Sequence, residues 1–241
     1  MQLFYSPDLN PQTTTATLPK DESKHIVKVL RKNEGEILDF TDGKGNFYKA
    51  EIIEASASNC KVKILEIIAQ EALPYQLHLA VAPTKLNDRY ETFLEKATEI
   101  GITEITPIIC DHSERKVLKP ERYERILQSA MKQSLKAYLP KLNEAIAFKA
   151  FIEKHTDNND RRFIAHCEED KQRFSLKEKL EPATSVLLLI GPEGDFSPEE
   201  IDFALSKGFQ PVTLGASRLR TETAAIVATH SVAFINEGKN L

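Results

Sequence analysis

Apolar and polar positions follow two different rhythms along this chain. Up to about residue 70 the apolar stretches are short and mostly strand-like. Ile26, Val27 and Leu30 have helical spacing and predict one short helix over 22–30. β-Prone runs follow at 36–40, 46–55 and 59–67, the first two separated by the turn sequence Thr41-Asp42-Gly43-Lys44-Gly45. Strands this short and this close predict a small antiparallel barrel or sandwich. Over 70–75 the pattern changes. The sequence QEALPY reads as a linker, with Pro74 disfavouring helix at Leu73. Beyond it strands (76–82, 105–110, 162–166, 185–190, 211–214) alternate with helices (88–100, 121–138, 197–207, 221–236). Gly101 suits the end of the first of these helices, and Pro120 and Pro140 bracket the second. Ser197, Pro198 and Glu200 form a capping-box start for the third. The alternation predicts an α/β domain around a mainly parallel sheet. The organisation is therefore read as a β domain at 1–70, a linker at 71–75 and an α/β domain at 76–241. Residues 155–162 read as a solvated loop.

Composition narrows the class. Of 241 residues 41% are apolar and 28% charged, enough for a sizeable core and unlike collagenous, low-complexity or disordered chains. The aliphatic run 186–190 is too short to cross a bilayer. The start, MQLFYSPDLNPQ, lacks the basic and apolar parts of a signal peptide. Cys60, Cys110 and Cys167 form no C-x-x-C pair, which fits a reducing compartment. A cytoplasmic protein without membrane attachment is expected.

The net charge of −4 argues against a general affinity for nucleic acid, but its distribution does not. Residues 20–33 carry net +3 and residues 112–141 net +5. Such runs are ordinarily solvated faces. On the helix expected at 121–138, however, Arg122, Arg125, Lys132 and Lys136 fall within roughly an 80° arc. One-sided clustering of this kind is the footprint of phosphate binding. Lys24, Lys28, Arg31 and Lys32 form a second candidate patch. His112, His155 and His166 are scattered, so no metal ligand set is expected.

Two loops at strand ends stand out. In open α/β sheets ligands bind beyond the carboxyl ends of strands. LLLIGPEGDFSPEE runs from a buried strand through Gly191-Pro192-Glu193-Gly194-Asp195 to a capped helix. It is neither a Walker loop nor G-x-G-x-x-G, which weighs against ATP and NAD. VTLGASRLRTETAAIVATH runs from a strand through Gly215, Arg218 and Arg220 into the last helix. Thr221 or Thr223 can cap that helix and Glu222 suits its dipole. Two arginines ahead of a helix N-terminus oppose the dipole, and so point to an anionic partner.

IGPEG…SPEE followed by LG-x-x-x-LRTETAA resembles the signature of the 16S rRNA uridine-N3 methyltransferases, of the SPOUT superfamily of trefoil-knotted RNA methyltransferases. Lys24-His25-Ile26 to Val29-Leu30-Arg31 is similar to that family's N-terminal segment. Lys85…Arg89…Lys96-Ala97-Thr98-Glu99-Ile100-Gly101 is similar to its first catalytic-domain helix. Gln133-Ser134 and Pro140 fit the pattern after its second. The resemblance implies a small PUA-like β-barrel followed by an α/β knotted (SPOUT-type) methyltransferase domain that forms a homodimer. It implies S-adenosylmethionine as cofactor, 16S rRNA of the small ribosomal subunit as partner, and uridine N3 in the decoding region as target. It further implies Ile190, Gly191, Glu193, Gly194, Leu214, Gly215, Leu219, Thr221, Thr223 and Ala224 as neighbours of the cofactor. Lys85, Arg89 and Arg115 join the two basic patches as candidate RNA contacts. Asp195 stands where a second glycine is usual, Arg218 is displaced by one position, and Lys136 stands where arginine is frequent.

Methyl transfer from a sulfonium needs an in-line nucleophile and no metal. Uracil N3 is mostly protonated at neutral pH, so a base or a stabiliser of the developing negative charge is required. Arg220 is the candidate for charge stabilisation and Glu222, the only acid of its loop, for the base. Ala224, Ala225, Val227 and Ala228 offer a small-residue surface for a dimer. A related SPOUT enzyme with another target atom and a catalytically silent RNA-binding module remain the alternatives. Cofactor binding separates the latter.

Overall fold

The computed structural model describes residues 2–156, 161–168 and 171–237, so residues 157–160 of the expected loop at 155–162 lie outside the described residues. The chain divides into two compact units, one of 1–72 with 128–139 and the other of 73–127 with 140–241.

The first unit holds β1 (Leu3–Tyr5), β2 (Thr15–Thr17), α1 (Lys20–Lys24), β3 (Ile37–Thr41), β4 (Asn46–Glu54) and β5 (Lys61–Ala69). They form one sheet in the order β1-β3-β4-β5-β2. β1 runs parallel to β3 while the other pairs are antiparallel, so the sheet is mixed and not the antiparallel one expected. β1 and β2 are too short for a period to show in sequence. Phe4, Leu38, Phe40, Tyr48, Ile52 and Val62 interlock with Ile26 as the core. The helix expected at 22–30 is α1 followed by one π-type turn at His25–Val29. Arg31 ends it in the left-handed region, at φ 56°. The turn before β4 is built on Asp42, whose carboxylate accepts from the backbone of Lys44 and Asn46, from Asn46 Nδ2 and from Tyr48 Oη at 2.7–3.1 Å. Burial alone would raise this carboxyl, yet these hydrogen bonds outweigh it and hold the group below its ordinary value.

The second unit alternates strand and helix. It contains β6 (Gln76–Val81), α2 (Asn87–Ile100), β7 (Glu104–Ile109), the first part of α3 (Pro120–Gln133, of which 128–133 belong to the first unit), β8 (Lys141–Leu142), β9 (Ile146–Ala147) and α4 (Phe148–Lys154). β10 (Arg161–Ala165), β11 (Phe174–Ser175), α5 (Leu176–Lys179), β12 (Ser185–Ile190), α6 (Pro198–Ser206), β13 (Gln210–Thr213) and α7 (Thr221–Ile235) follow. The sheet order is β11-β13-β10-β12-β6-β7-β8, with β9 paired to the end of β7. Every pairing is parallel. All carboxyl ends therefore lie along one edge. Leu187 and Leu189 of β12 pack with Phe148, Phe151 and Phe196 on one face. Tyr75, placed in the linker by sequence, is buried and donates to the Gly101 carbonyl at 2.8 Å, so it anchors in this unit.

α3 stops at Gln133, well short of the expected 138. Leu135 adopts φ 53°, its N–H donates to Lys132 O at 3.2 Å, and Lys136 N–H donates to Met131 O at 3.0 Å. This is a Schellman ending with leucine in place of glycine, which sequence periodicity does not reveal. Among the described residues no helix is long and apolar enough to cross a membrane.

Candidate functional site

The strand ends of the second unit converge on two adjoining cavities of about 400 and 460 Å³. Ala165, Cys167, Ile190, Arg218, Leu219 and Ala224 line both. The first adds Gly191, Glu193, Arg220, Thr221, Asp195 and Arg89. The second adds Leu214, Gly215, His166 and Arg173. Two loops far apart in sequence thus share one site, because β12 and β13 flank β10 in a parallel sheet. Of the residues the resemblance implied around the cofactor, only Gly194 and Thr223 stand off these walls.

Local chemistry fixes the loops. Ser197 caps α6 with the expected box: its Oγ accepts from Glu200 N–H at 3.2 Å and Glu200 accepts from Ser197 N–H at 3.0 Å. Glu200 also accepts Asp111 N–H at 3.0 Å, and Ser197 Oγ donates to Asp111 at 2.8 Å. Burial pushes the Glu200 carboxyl up. Glu193 accepts Lys85 N–H at 2.9 Å, so its carboxylate braces the loop after β6. Thr221 is not a cap. Arg220 occupies the N-cap position with no side-chain bond, and Thr221 Oγ1 donates to Gly191 O at 3.0 Å, joining the two loops. A Cβ on Gly191 would lie 3.1–3.2 Å from Phe196. Its missing side chain therefore admits Phe196, while Gly191 itself lines the first cavity.

The charged groups divide by environment. Arg218 and Arg220 are exposed at the cavity, without side-chain partners among the described residues. Glu222 is largely buried: Arg89 Nε lies 3.9 Å from its Oε1, and its Oε2 has no hydrogen-bond partner among the described residues. His166, 4% exposed, has neither ring nitrogen bonded among the described residues. Burial lowers its pKa. His166 lines the second cavity, and orphaned ring nitrogens there fit a ligand that brings its own donors and acceptors; Glu222 lines neither cavity and lies 3.9 Å from Arg89 of the first. A neutral purine nucleoside carrying a charged amino-acid tail suits walls that mix Ile190, Leu214 and Leu219 with loop backbone and arginines. The residues present thus fit S-adenosylmethionine.

Sequence reading missed Ala165, His166, Cys167 and Arg173 as part of this site and named Asp195 only as a departure within the first loop. The only signal was the end of a strand in a parallel sheet, and no motif marks β10. The candidate RNA contacts differ in their local partners. Arg115 donates to Thr84 O at 3.2 Å and Lys85 O at 2.9 Å, which makes it a loop clamp. Lys85 pairs with Glu114, Arg122 with Glu91 and Lys32 with Glu36. Lys136 lies beyond α3, half buried, which corrects its place on the helical arc, and burial lowers its pKa. Lys24, Lys28, Arg31 and Arg125 are exposed and without side-chain partners among the described residues, and Lys132 lines a cavity of about 380 Å³ with His25 in the first unit. On α7, Ala225 and Ala228 are buried within the chain's own core and leave Ala224 and Val227 of the expected surface partly open.

Comparison with known proteins agrees with this architecture. Residues 71–233 match the RNA methyltransferase domain family and residues 18–65 the RNA methyltransferase PUA domain. A ribosomal RNA small subunit methyltransferase E of Synechocystis is 32% identical over 222 residues, covering 89% of this chain and 71% of that protein. A crystal structure of a probable rRNA-methyltransferase from Porphyromonas gingivalis is 42% identical, with TM-score 0.88 over 98% of both chains. A ribosomal RNA small subunit methyltransferase E from Neisseria gonorrhoeae, bound to S-adenosyl methionine, is 27% identical with TM-score 0.81 over 98% of both chains.

Proposed function

This chain belongs to the RNA methyltransferase family, and from that premise we propose that it methylates N3 of a uridine in the decoding region of 16S rRNA, using S-adenosylmethionine. The observation that carries the reading is the meeting of the GPEG and LRTET loops at one cavity, tied by Thr221, with Arg220 and Arg89 on its wall and Glu222 3.9 Å from Arg89. When bound, S-adenosylmethionine supplies a methyl group that leaves a positively charged sulfur, the bonding pair returning to a neutral thioether. The chain's own residues act on the uracil. Glu222 takes the N3 proton on its unpartnered Oε2, while Arg89 holds the other oxygen. Arg220 faces the charge that spreads to the uracil oxygens. The RNA is held by unpaired cations, chiefly Lys24, Lys28, Arg31, Arg125 and Lys132.

The same reading includes a SPOUT-type knot, a PUA-like first domain, a cytoplasmic homodimer and a substrate assembled in the small subunit. It takes 1–70 as the PUA-like domain, 71–75 as the linker and 76–241 as the knotted domain. Mapping of rRNA nucleosides by mass spectrometry in cells with and without the gene tests it. Loss of one N3-methyluridine from small-subunit rRNA supports the reading. An unchanged uridine map together with loss of a ribose methyl would reassign the target atom.

A further inference from the structure

Asp195 sits where the family's resemblance calls for glycine, and its backbone explains the preference. Its φ is 64°, in the left-handed region that glycine enters freely and aspartate tolerates. What glycine cannot supply is the carboxylate. Asp195 Oδ1 accepts from Phe196 N–H at 2.9 Å, and Oδ2 accepts from Cys167 N–H at 2.6 Å. Cys167 belongs to the segment after β10, on the wall of both cavities, and Asp195 itself lines the first. On the other side the His112 ring N–H lies 3.1 Å from Gly194 O and 3.0 Å from Asp195 O. Three strand-end segments, after β7, β10 and β12, therefore meet at one residue.

We propose that Asp195 is a positioning residue for the cofactor, its carboxylate clasping the Gly191–Asp195 loop to the His166–Cys167 segment and so fixing the width of the cavity. The proposal rests on the reading that this cavity takes S-adenosylmethionine. It needs no contact between Asp195 and the ligand. A loop held in its binding geometry only part of the time binds more weakly in proportion to that fraction. Charge-assisted bonds to backbone N–H groups are strong enough to hold it. The same clasp keeps the orphaned imidazole of His166 against the second cavity, because residues 166 and 167 are adjacent.

The experiment uses the full-length protein and S-adenosylhomocysteine as probe. Calorimetry gives affinity, amide hydrogen exchange reports the Cys167 and Phe196 N–H groups, and melting reports the fold. In Asp195→Gly the left-handed backbone is kept and both acceptors are lost. Affinity is expected to fall about tenfold, a fraction of one in ten in the competent geometry. Exchange at Cys167 speeds up while the melting temperature stays within a few degrees. Asp195→Asn keeps one acceptor, offers an N–H to the other donor, and is expected to fall between the two; it carries the test if the glycine variant folds poorly. Wild-type affinity in a folded variant with faster Cys167 exchange overturns the clasp, as does unchanged exchange. No binding by wild-type protein overturns the cofactor reading instead, and Cys167 exchange still scores the clasp.

Discussion

At the start of α7 three consecutive residues carry three separate tasks. Thr221 joins the loops, Arg220 stays exposed at the cavity, and Glu222 is largely buried with one oxygen unpartnered among the described residues. Motif resemblance singles out all three, but their division of labour needs partners from elsewhere in the fold. The capping role expected of Thr221 fails because its hydroxyl is used 30 residues away, at Gly191. Arg220→Ala is expected to cost at least about 2.7 kcal/mol of transition-state stabilisation, roughly 100-fold in single-turnover rate, like loss of an oxyanion donor. Removing a cation beside a helix N-terminus leaves fold stability equal or slightly higher. Glu222→Gln lowers the same rate with RNA affinity retained, checked by single turnover at saturating cofactor and RNA. A wild-type rate in either variant removes that residue from the chemistry. Gly191→Val collides with Phe196, so denaturant unfolding shows a stability loss of about 1–3 kcal/mol alongside weaker cofactor binding.

Elements are legible where their signals are local. The α6 cap is readable to the residue because Ser, Pro and Glu act within one turn. Ser197→Ala is expected to cost about 1 kcal/mol or somewhat more, since Asp111 also loses its donor, and thermal unfolding measures it. The end of α3 is hidden because apolar spacing continues past the point where Leu135 turns left-handed. β1, β2, β8, β9 and β11 escape notice because two or three residues carry no period. Asp42 gives the first unit a pH signature. Its folded carboxyl lies below the ordinary value, so its contribution is complete above about pH 4 and disappears as pH falls through the lowered folded pKa. Asp42→Asn should lose on the order of 2 kcal/mol at neutral pH. The gap in melting temperature between wild type and variant closes as the pH drops below about 4. A gap that stays constant to pH 3 contradicts the assignment.

At the scale of the molecule, the α/β class is visible in the alternation of strand and helix, but the strand order is not. β10 lies between β13 and β12 although β11 and α5 intervene in sequence, and only that order brings Ala165, His166 and Cys167 to the cavity. Side-chain pairing also reshapes the RNA reading: Arg115 bonds to carbonyls and Lys85, Arg122 and Lys32 have acidic partners. Neutralising Lys24, Lys28, Arg31 and Arg125 should therefore flatten the salt dependence of RNA binding, by about 0.7–0.9 in log–log slope for each RNA phosphate that no longer meets a cation. Neutralising Arg115 leaves the slope unchanged. The central claim is tested most directly by transfer itself. Purified protein is incubated with methyl-deuterated S-adenosylmethionine and small subunits from cells lacking the gene, and the rRNA nucleosides are resolved by mass spectrometry. The account predicts label in N3-methyluridine at one position and its loss with Arg220→Ala. Absence of label from folded wild-type protein, or label on a ribose or another base, would contradict it.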